Sequence, residues 1–171
     1  MGWFTVLVSL VALERVAELA VSRRNTAWAL ARGGVEHGAG HYPAMVLLHA
    51  ALLAGAVGEV AVAHRPFVPL LGWPMLLLVL ASQGLRWWCI GTLGRQWSTR
   101  VVVVPDLERV GRGPYAVTRH PNYMAVAVEG AALPLVHSAW LTAIVFTVLN
   151  AALLTVRIRV ENAALRSLAS P

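Results

Sequence analysis

The chain has 171 residues, 58% of them hydrophobic and 13% charged, with a mean hydropathy of +0.65. A soluble domain carries about 25% charged residues, so these values exclude a water-soluble globular protein and point to one polytopic membrane domain over residues 1–171. The formal charge is +6 and all 14 basic residues are arginine; they fall between apolar runs, which favours a membrane surface over nucleic acid as the partner of that charge.

A span needs about 20 apolar residues to cross a ~30 Å hydrocarbon core. The apolar runs predict spans from Trp3 to Val21, Pro43 to Ala63 and Phe67 to Ile90, then from Asn122 to Val136 and Ser138 to Val156. The last two are separated only by Pro134 and the pair His137-Ser138, which predicts a tight helical hairpin. A cytoplasmic tail helix is predicted over Arg157 to Leu168. Val101–Val104, stopped by Pro105, reads as a short extended segment near the interface. The fold expected is therefore all-α and integral to the membrane: a five-span bundle with a C-terminal hairpin and a short tail helix.

Arginine placement orients that bundle. The loop after the first span holds Arg23, Arg24 and Arg32, and the third loop holds Arg95, Arg100, Arg109, Arg112 and Arg119. The tail holds Arg157, Arg159 and Arg166, whereas the second loop has only Arg65 and the hairpin tip none. The alternation puts the rich loops and the C-terminus in the cytoplasm. No cleavable signal peptide is expected, because Glu14, Arg15 and Glu18 interrupt the first run and no small-residue cleavage site follows. The single Cys89 excludes an internal disulfide and a cysteine-rich metal site.

Several charges fall inside predicted spans, where ionisable groups are functional candidates by default. Glu14 and Glu18 share a helix face, and Glu18 is expected to reach Arg23 or Arg24 in a structural ion pair. Arg86 is expected to snorkel to the interface, Glu129 requires a partner, and Glu59 is expected to be solvated. His41 and His49 are two helical turns apart, too far for an i, i+4 metal pair, so no metal site is expected.

Two polar constellations carry the chemistry. The first is Gly111-Arg112-Gly113-Pro114-Tyr115 followed by Arg119-His120-Pro121-Asn122-Tyr123. Glycine allows close backbone approach to a ligand, although the same residues also suit an ordinary turn. Pro121 fits the first position of the fourth span, which puts His120 at that helix N-terminus, where polar ligands are favoured. The second constellation is Arg157, Arg159 and Glu161. Arg157 and Glu161 are spaced for an i, i+4 ion pair, and the arginines also suit a positive-inside signal. Both constellations belong to the same predicted face of the membrane, so they can form one site.

Gly113-Pro114-Tyr115, the Arg119–Tyr123 run, the hairpin of short spans, and Arg157-Ile158 with Glu161 and Leu165 resemble the isoprenylcysteine carboxyl methyltransferase family. The wider group of that family includes phospholipid N-methyltransferases. The resemblance covers Leu93 to Leu168, the expected cofactor-binding half. Glu14-Arg15, Glu18, Arg24-Asn25 and Gly40-His41-Tyr42-Pro43 are similar to a bacterial branch associated with methylation of phenolic lipids or alkylpyrones.

The resemblance implies S-adenosylmethionine as methyl donor, a bacterial cell-membrane location, and a lipophilic acceptor entering from the bilayer. It implies cofactor contacts from Gly111, Gly113, Tyr115, His120, Pro121, Tyr123 and Glu161, with Arg157 facing the reacting centre. A phenolic acceptor would also be served by a base such as His120 or Glu129. Two departures stand out. Asn162 follows Glu161 where the family commonly has a second acid, and the aromatic-rich extension after the tail helix is missing, which disfavours a prenylated-protein acceptor. The run around His120 also resembles NADPH-dependent sterol reductases, and a non-catalytic scaffold is the remaining alternative.

Overall fold

The computed structural model describes residues 2–105, 107–108 and 110–167; Arg109 and Leu168 lie outside them. Helix α1 runs over Gly2–Leu30, well past Val21, because nothing between Ser22 and Leu30 breaks a helix. It stops at Gly33, whose φ of +76° is left-handed, and Gly34, where a Cβ would stand 2.7 Å from the Ala29 carbonyl oxygen. Strand β1 (Val35–His37) and a short 3-10 turn then lead into α2 (Tyr42–Val62), which opens with Pro43 in its first turn. Helix α3 covers Pro69–Leu93, strand β2 Val101–Val103, and α4 is a single turn, Pro114–Val117.

Helix α5 (Pro121–Leu135) begins at Pro121 with His120 as its N-cap. Helix α6 runs unbroken over Trp140–Ser167. The separate tail helix is therefore corrected: no glycine or proline separates Val156 from Arg157, and the last predicted span and the tail are one rod. The hairpin between α5 and α6 is as tight as expected, turning through Ser138 with φ +57°.

Strands β1 and β2 pair antiparallel, with Val35 opposite Val103 and His37 opposite Val101. The extended character of 101–103 was legible in its valines; its partner was not, because Val35–His37 is short and follows two glycines. The ribbon ties the first and third loops together where α1 ends and α2 begins, and it touches α6.

Among the described residues, three helical stretches are long and apolar enough to cross a membrane: Ala39–Val62, Pro69–Gln96 and Trp140–Arg166. Helix α1 is charged in its middle, and α5 has 15 residues. Both belong to the same bundle: α5 packs against α3 and α6, α2 against α6, and α1 against α2. The core joins Phe4, Val8 and Val11 to Ala56 and Val60, Val79, and Leu133 and Val136. Leucines 47, 70, 77 and 141 face outward, as expected for surfaces in contact with lipid.

Glu18, Arg86 and Glu129 are buried in one cluster around Arg15. Arg15 donates to Glu18 at 2.5 Å, to Gln83 Oε1 at 3.0 Å and to Glu129. Arg86 grips Glu18 through Nε at 2.8 Å and a terminal nitrogen at 2.5 Å. Glu14 accepts from Trp87 Nε1 at 2.5 Å and from Gln83. Two expectations are thereby corrected. Glu18 pairs with Arg15 and Arg86 rather than Arg23 or Arg24, and Arg86, only 5% exposed, points inward instead of snorkelling. An inward carboxylate offers two charge-assisted hydrogen bonds at a depth where the helix end is out of reach. Glu59 is corrected as well: it accepts from the Leu141 and Thr142 amides and from Arg65, capping the start of α6.

Breaking a buried pair on one side leaves an uncompensated charge, at a cost of about 3–5 kcal/mol. Glu18→Leu should therefore lower unfolding free energy in mixed micelles by about 3 kcal/mol. The double variant Glu18→Leu/Arg86→Leu should lose less than Glu18→Leu alone.

Candidate functional site

A cavity of about 450 Å³ lies at the end of the bundle where β1, β2 and the last turns of α6 meet. Its wall takes residues from distant parts of the chain. Asn25 comes from α1, Trp97 and Arg100 from the segment after α3, Val101–Val104 from β2 and its end, and Tyr115 from α4. His120, Asn122 and Tyr123 come from the start of α5, and Arg157, Glu161 and Leu165 from α6.

The polar centre is the Tyr123 hydroxyl. It accepts a hydrogen bond from Arg157 Nε at 2.7 Å and donates one to Glu161. The Arg157 guanidinium also lies 5.2 Å from the centre of the Tyr123 ring. The opposite face of the cluster is His120, whose ring stacks on Tyr123 with centroids 5.4 Å apart. His120 Nδ1 faces Glu161 Oε1 at 3.7 Å. The direct i, i+4 pairing of Arg157 with Glu161 is corrected, because Tyr123 stands between the two side chains. Its hydroxyl, both donor and acceptor, satisfies a cation and a carboxylate at once. Arg157 is 5% exposed and also donates to Met45 Sδ at 2.9 Å, so α2 forms part of the site's support.

Tyr115, His120, Tyr123, Arg157 and Glu161 thus line one cavity. Burial, with Cys89 close by, holds the Tyr115 hydroxyl well above the usual phenol range, so it remains a donor at neutral pH. The other three expected residues are not on that wall. Gly113 has φ +58° and packs on α3, where a Cβ would lie 2.8 Å from Thr92 Oγ1. Pro121 is buried as the first residue of α5, and Gly111 has open space around it. These glycines shape the loop that carries Tyr115 rather than the cavity surface itself.

Sequence reasoning missed four contributors: Asn25, Trp97, Arg100 and Asn122. Asn25 Nδ2 donates to the carbonyls of Gly94 (3.0 Å) and Trp97 (2.8 Å), clamping the turn after α3 onto α1. Ser22 accepts from the Thr99 amide at 2.9 Å. Arg100 holds Glu36 through two contacts of 2.8 and 3.0 Å and lies over the Tyr42 ring. None of these pairings has a local signature, since each joins residues more than 50 positions apart. Asn122 carried the one usable signal, its position inside the Arg119–Tyr123 run.

Two polar atoms on wall residues are buried without a partner, Asn122 Oδ1 and Trp97 Nε1. Unsatisfied buried groups are uncommon and costly, and a matched acceptor and donor on one cavity suit a ligand with mixed hydrogen-bonding edges. The valines of β2 with Leu93 and Leu165 supply apolar surface beside them. Among the described residues no cluster of His, Cys, Asp and Glu could hold a metal ion.

The profile of the isoprenylcysteine carboxyl methyltransferase family matches residues 75–167, more than half of the chain, and takes in most of α3 and all of α5 and α6. An uncharacterized protein of Bacillus subtilis (strain 168), YpbQ, is 35% identical over 164 residues, covering 95% of this chain and 96% of its own. No solved structure matches the chain. A bundle of apolar helices and a profile match reaching across its polar end agree, and the chain belongs to the isoprenylcysteine carboxyl methyltransferase family of membrane methyltransferases.

Proposed function

We propose that the protein is an S-adenosylmethionine-dependent O-methyltransferase whose acceptor is a lipophilic molecule with a hydroxyl head, a phenolic lipid or alkylpyrone. One observation carries the reading: Arg157, Tyr123, Glu161 and His120 converge on a single cavity where an apolar bundle ends. A head group needs polar partners there, while an aliphatic tail can stay in hydrocarbon beside the helices.

The cavity fits the donor chemically. Its volume is within the range of sites for molecules of cofactor size, about 300–1,000 Å³. Glu161 suits a cationic ammonium or a ribose hydroxyl, Asn122 and Trp97 offer an acceptor and a donor without partners, and β2 offers an apolar strip. When bound, S-adenosylmethionine supplies a methyl carbon on sulfonium sulfur, open to in-line displacement by an acceptor oxygen.

Since the donor is already activated, the protein's task is proximity and orientation. Arg157 is suited to hold the acceptor oxygen, because it is fixed from two sides by Tyr123 and Met45. A hydroxyl acceptor loses a proton as its new bond forms. His120 is the nitrogen base on the cavity wall. Glu129 is bound to Arg15 deeper in the bundle and does not line this cavity. The topology in this reading is five crossings with the C-terminus in the cytoplasm, which puts the cavity on the side where S-adenosylmethionine is made.

Three outcomes are expected. A reporter fused after Pro171 reads as cytoplasmic; a periplasmic signal would overturn the topology. Arg157→Ala lowers kcat about 100-fold or more, the scale of lost positioning, with a much smaller change in cofactor affinity by calorimetry, and Glu161→Gln shows the opposite split. With labelled cofactor and a panel of alkylresorcinol, alkylpyrone, farnesylcysteine analogue and phosphatidylethanolamine, label appears first in the phenolic or pyrone lipids. Preference for either of the other two acceptors would reassign the substrate and leave methyl transfer standing.

A further inference from the structure

Three successive turns of α2 meet α6 through named side chains. At the end that carries the cavity, the His41 ring and Val160 lie together: a Cβ on Gly38 would stand 2.5 Å from His41 Cε1 and 2.8 Å from Val160 Cγ1. One turn further along α2, Met45 Sδ accepts from Arg157 Nη1 at 2.9 Å. A further turn on, the His49 ring meets Phe146 edge-on, with centroids 5.3 Å apart. The partners run backward along α6, from 160 to 157 to 146, so the two helices are antiparallel. The outer two contacts are made by rings. The middle one is a methionine laid on a buried cation.

Met45 is the closure that yields most easily. Its side chain is unbranched and turns about three bonds. It is half-buried, so it stands between the surface of the bundle and the buried Arg157. The sulfur is also a poor partner for a cation. A guanidinium bonds best to an oxygen acceptor, and a thioether is a weak one. Arg157 Nε has an oxygen, the Tyr123 hydroxyl at 2.7 Å, whereas Nη1 is turned to sulfur. Arg157 lines the cavity and Met45 does not, so Met45 closes the site at Arg157 on the α2 side.

We propose that Met45 keeps the place of the acceptor oxygen: when the acceptor binds, the thioether swings aside and the oxygen takes over its hydrogen bond from Arg157 Nη1. Met45 is thereby a specificity-determining residue, gating the gap between α2 and α6 that admits the head group. The inference rests on the methyl-transfer reading and names the acceptor's seat within it. Only non-covalent partners change. The Tyr123 hydroxyl keeps Arg157 Nε throughout, so the guanidinium stays aligned while Nη1 trades sulfur for oxygen. The position suits an amphiphile. Met45 is in the first turn of α2, near the start of the apolar stretch Ala39–Val62, and its neighbours Val46 and Leu47 face outward. A head group entering there reaches Arg157 while its tail stays along apolar side chains. Residue 45 precedes the segment that the family profile matches, so this gate belongs to the first half of the chain.

The test uses the full chain in lipid nanodiscs. The sequence has four methionines, Met1, Met45, Met75 and Met124, so methyl-labelled methionine gives at most four NMR signals, and Met45→Leu assigns the one at the gate. An alkylresorcinol added without cofactor should shift the Met45 signal more than that of Met75. In turnover with labelled S-adenosylmethionine, Met45→Ala, which leaves the gap open, should lower the acceptor KM severalfold. Met45→Ile, stiff at its first side-chain torsion, should raise it about tenfold, the scale of one ill-fitting methylene. Cofactor affinity by calorimetry should hold in both. A bracing role alone would lower kcat in both variants and leave the acceptor KM in place. The NMR arm follows the unaltered chain, so it decides even where a variant fails to fold. A Met45 signal that ignores an acceptor the protein methylates, or loss of kcat in both folded variants at constant KM, overturns the gate and leaves methyl transfer standing. Methylation of no acceptor in the panel overturns the transfer reading and the gate with it.

Discussion

The cluster of Arg15, Glu18, Gln83, Arg86 and Glu129 is the constraint on which the bundle depends. In hydrocarbon a leucine packs on lipid about as well as on another helix, so apolar contact alone sets helix register weakly. Charges behave differently. Arg15 makes contacts to α1, α3 and α5 together, and Arg86 closes the set from α3 onto Glu18. A rotation or slip of any of the three helices strips a partner from a buried ion, which the low-dielectric interior penalises heavily. The helices are thereby locked about their axes as well as against one another.

That register reaches the cavity. Glu129 is fixed by Arg15, and Tyr123 lies six residues earlier on α5, about 9 Å along the axis. The hydroxyl at the centre of the site thus takes its position from a charge pair buried in the bundle. Tyr123 in turn holds Arg157 and Glu161 of α6 in place, and His120 stacks on its outer face. Polar side chains at a membrane end would otherwise be free to reorient toward water. Here each has a neighbour that fixes it before any ligand arrives, the arrangement that positioning chemistry needs.

What was legible in the sequence, and what was not, follows from the range of the interactions. Helix cores were read from apolar runs, and Pro121 marked the start of α5 because proline favours a first helical turn. The ends were harder. Helix α1 continues to Leu30, and α6 absorbs the tail, because hydropathy falls at the membrane surface while helix propensity does not. Five of the expected site residues line the cavity, since they lie on two short stretches dense in polar groups. The place of Asn25 and Arg100 at the cavity was not legible, because each acts through a partner far along the chain. Glu18 was read as paired and Glu129 as needing a partner, but Glu18 was assigned Arg23 or Arg24 of the following loop, whereas it pairs with Arg15 one turn back and with Arg86 from α3.

The family profile begins at residue 75, yet the cavity does not. Asn25 clamps the turn that carries Trp97, and Met45 braces Arg157 from α2. The shared segment supplies Tyr123, Arg157 and Glu161, the polar centre of the cavity. Helix α1 adds Asn25 and Ala29 to the cavity wall, and α2 acts from behind it through Met45. YpbQ matches along almost its whole length, so the first two helices belong to the same unit as the shared segment. Asn25 on α1 and Met45 on α2 thus brace a polar centre carried by α5 and α6, and methyl transfer from an activated donor asks more of such placement than of added reactive groups.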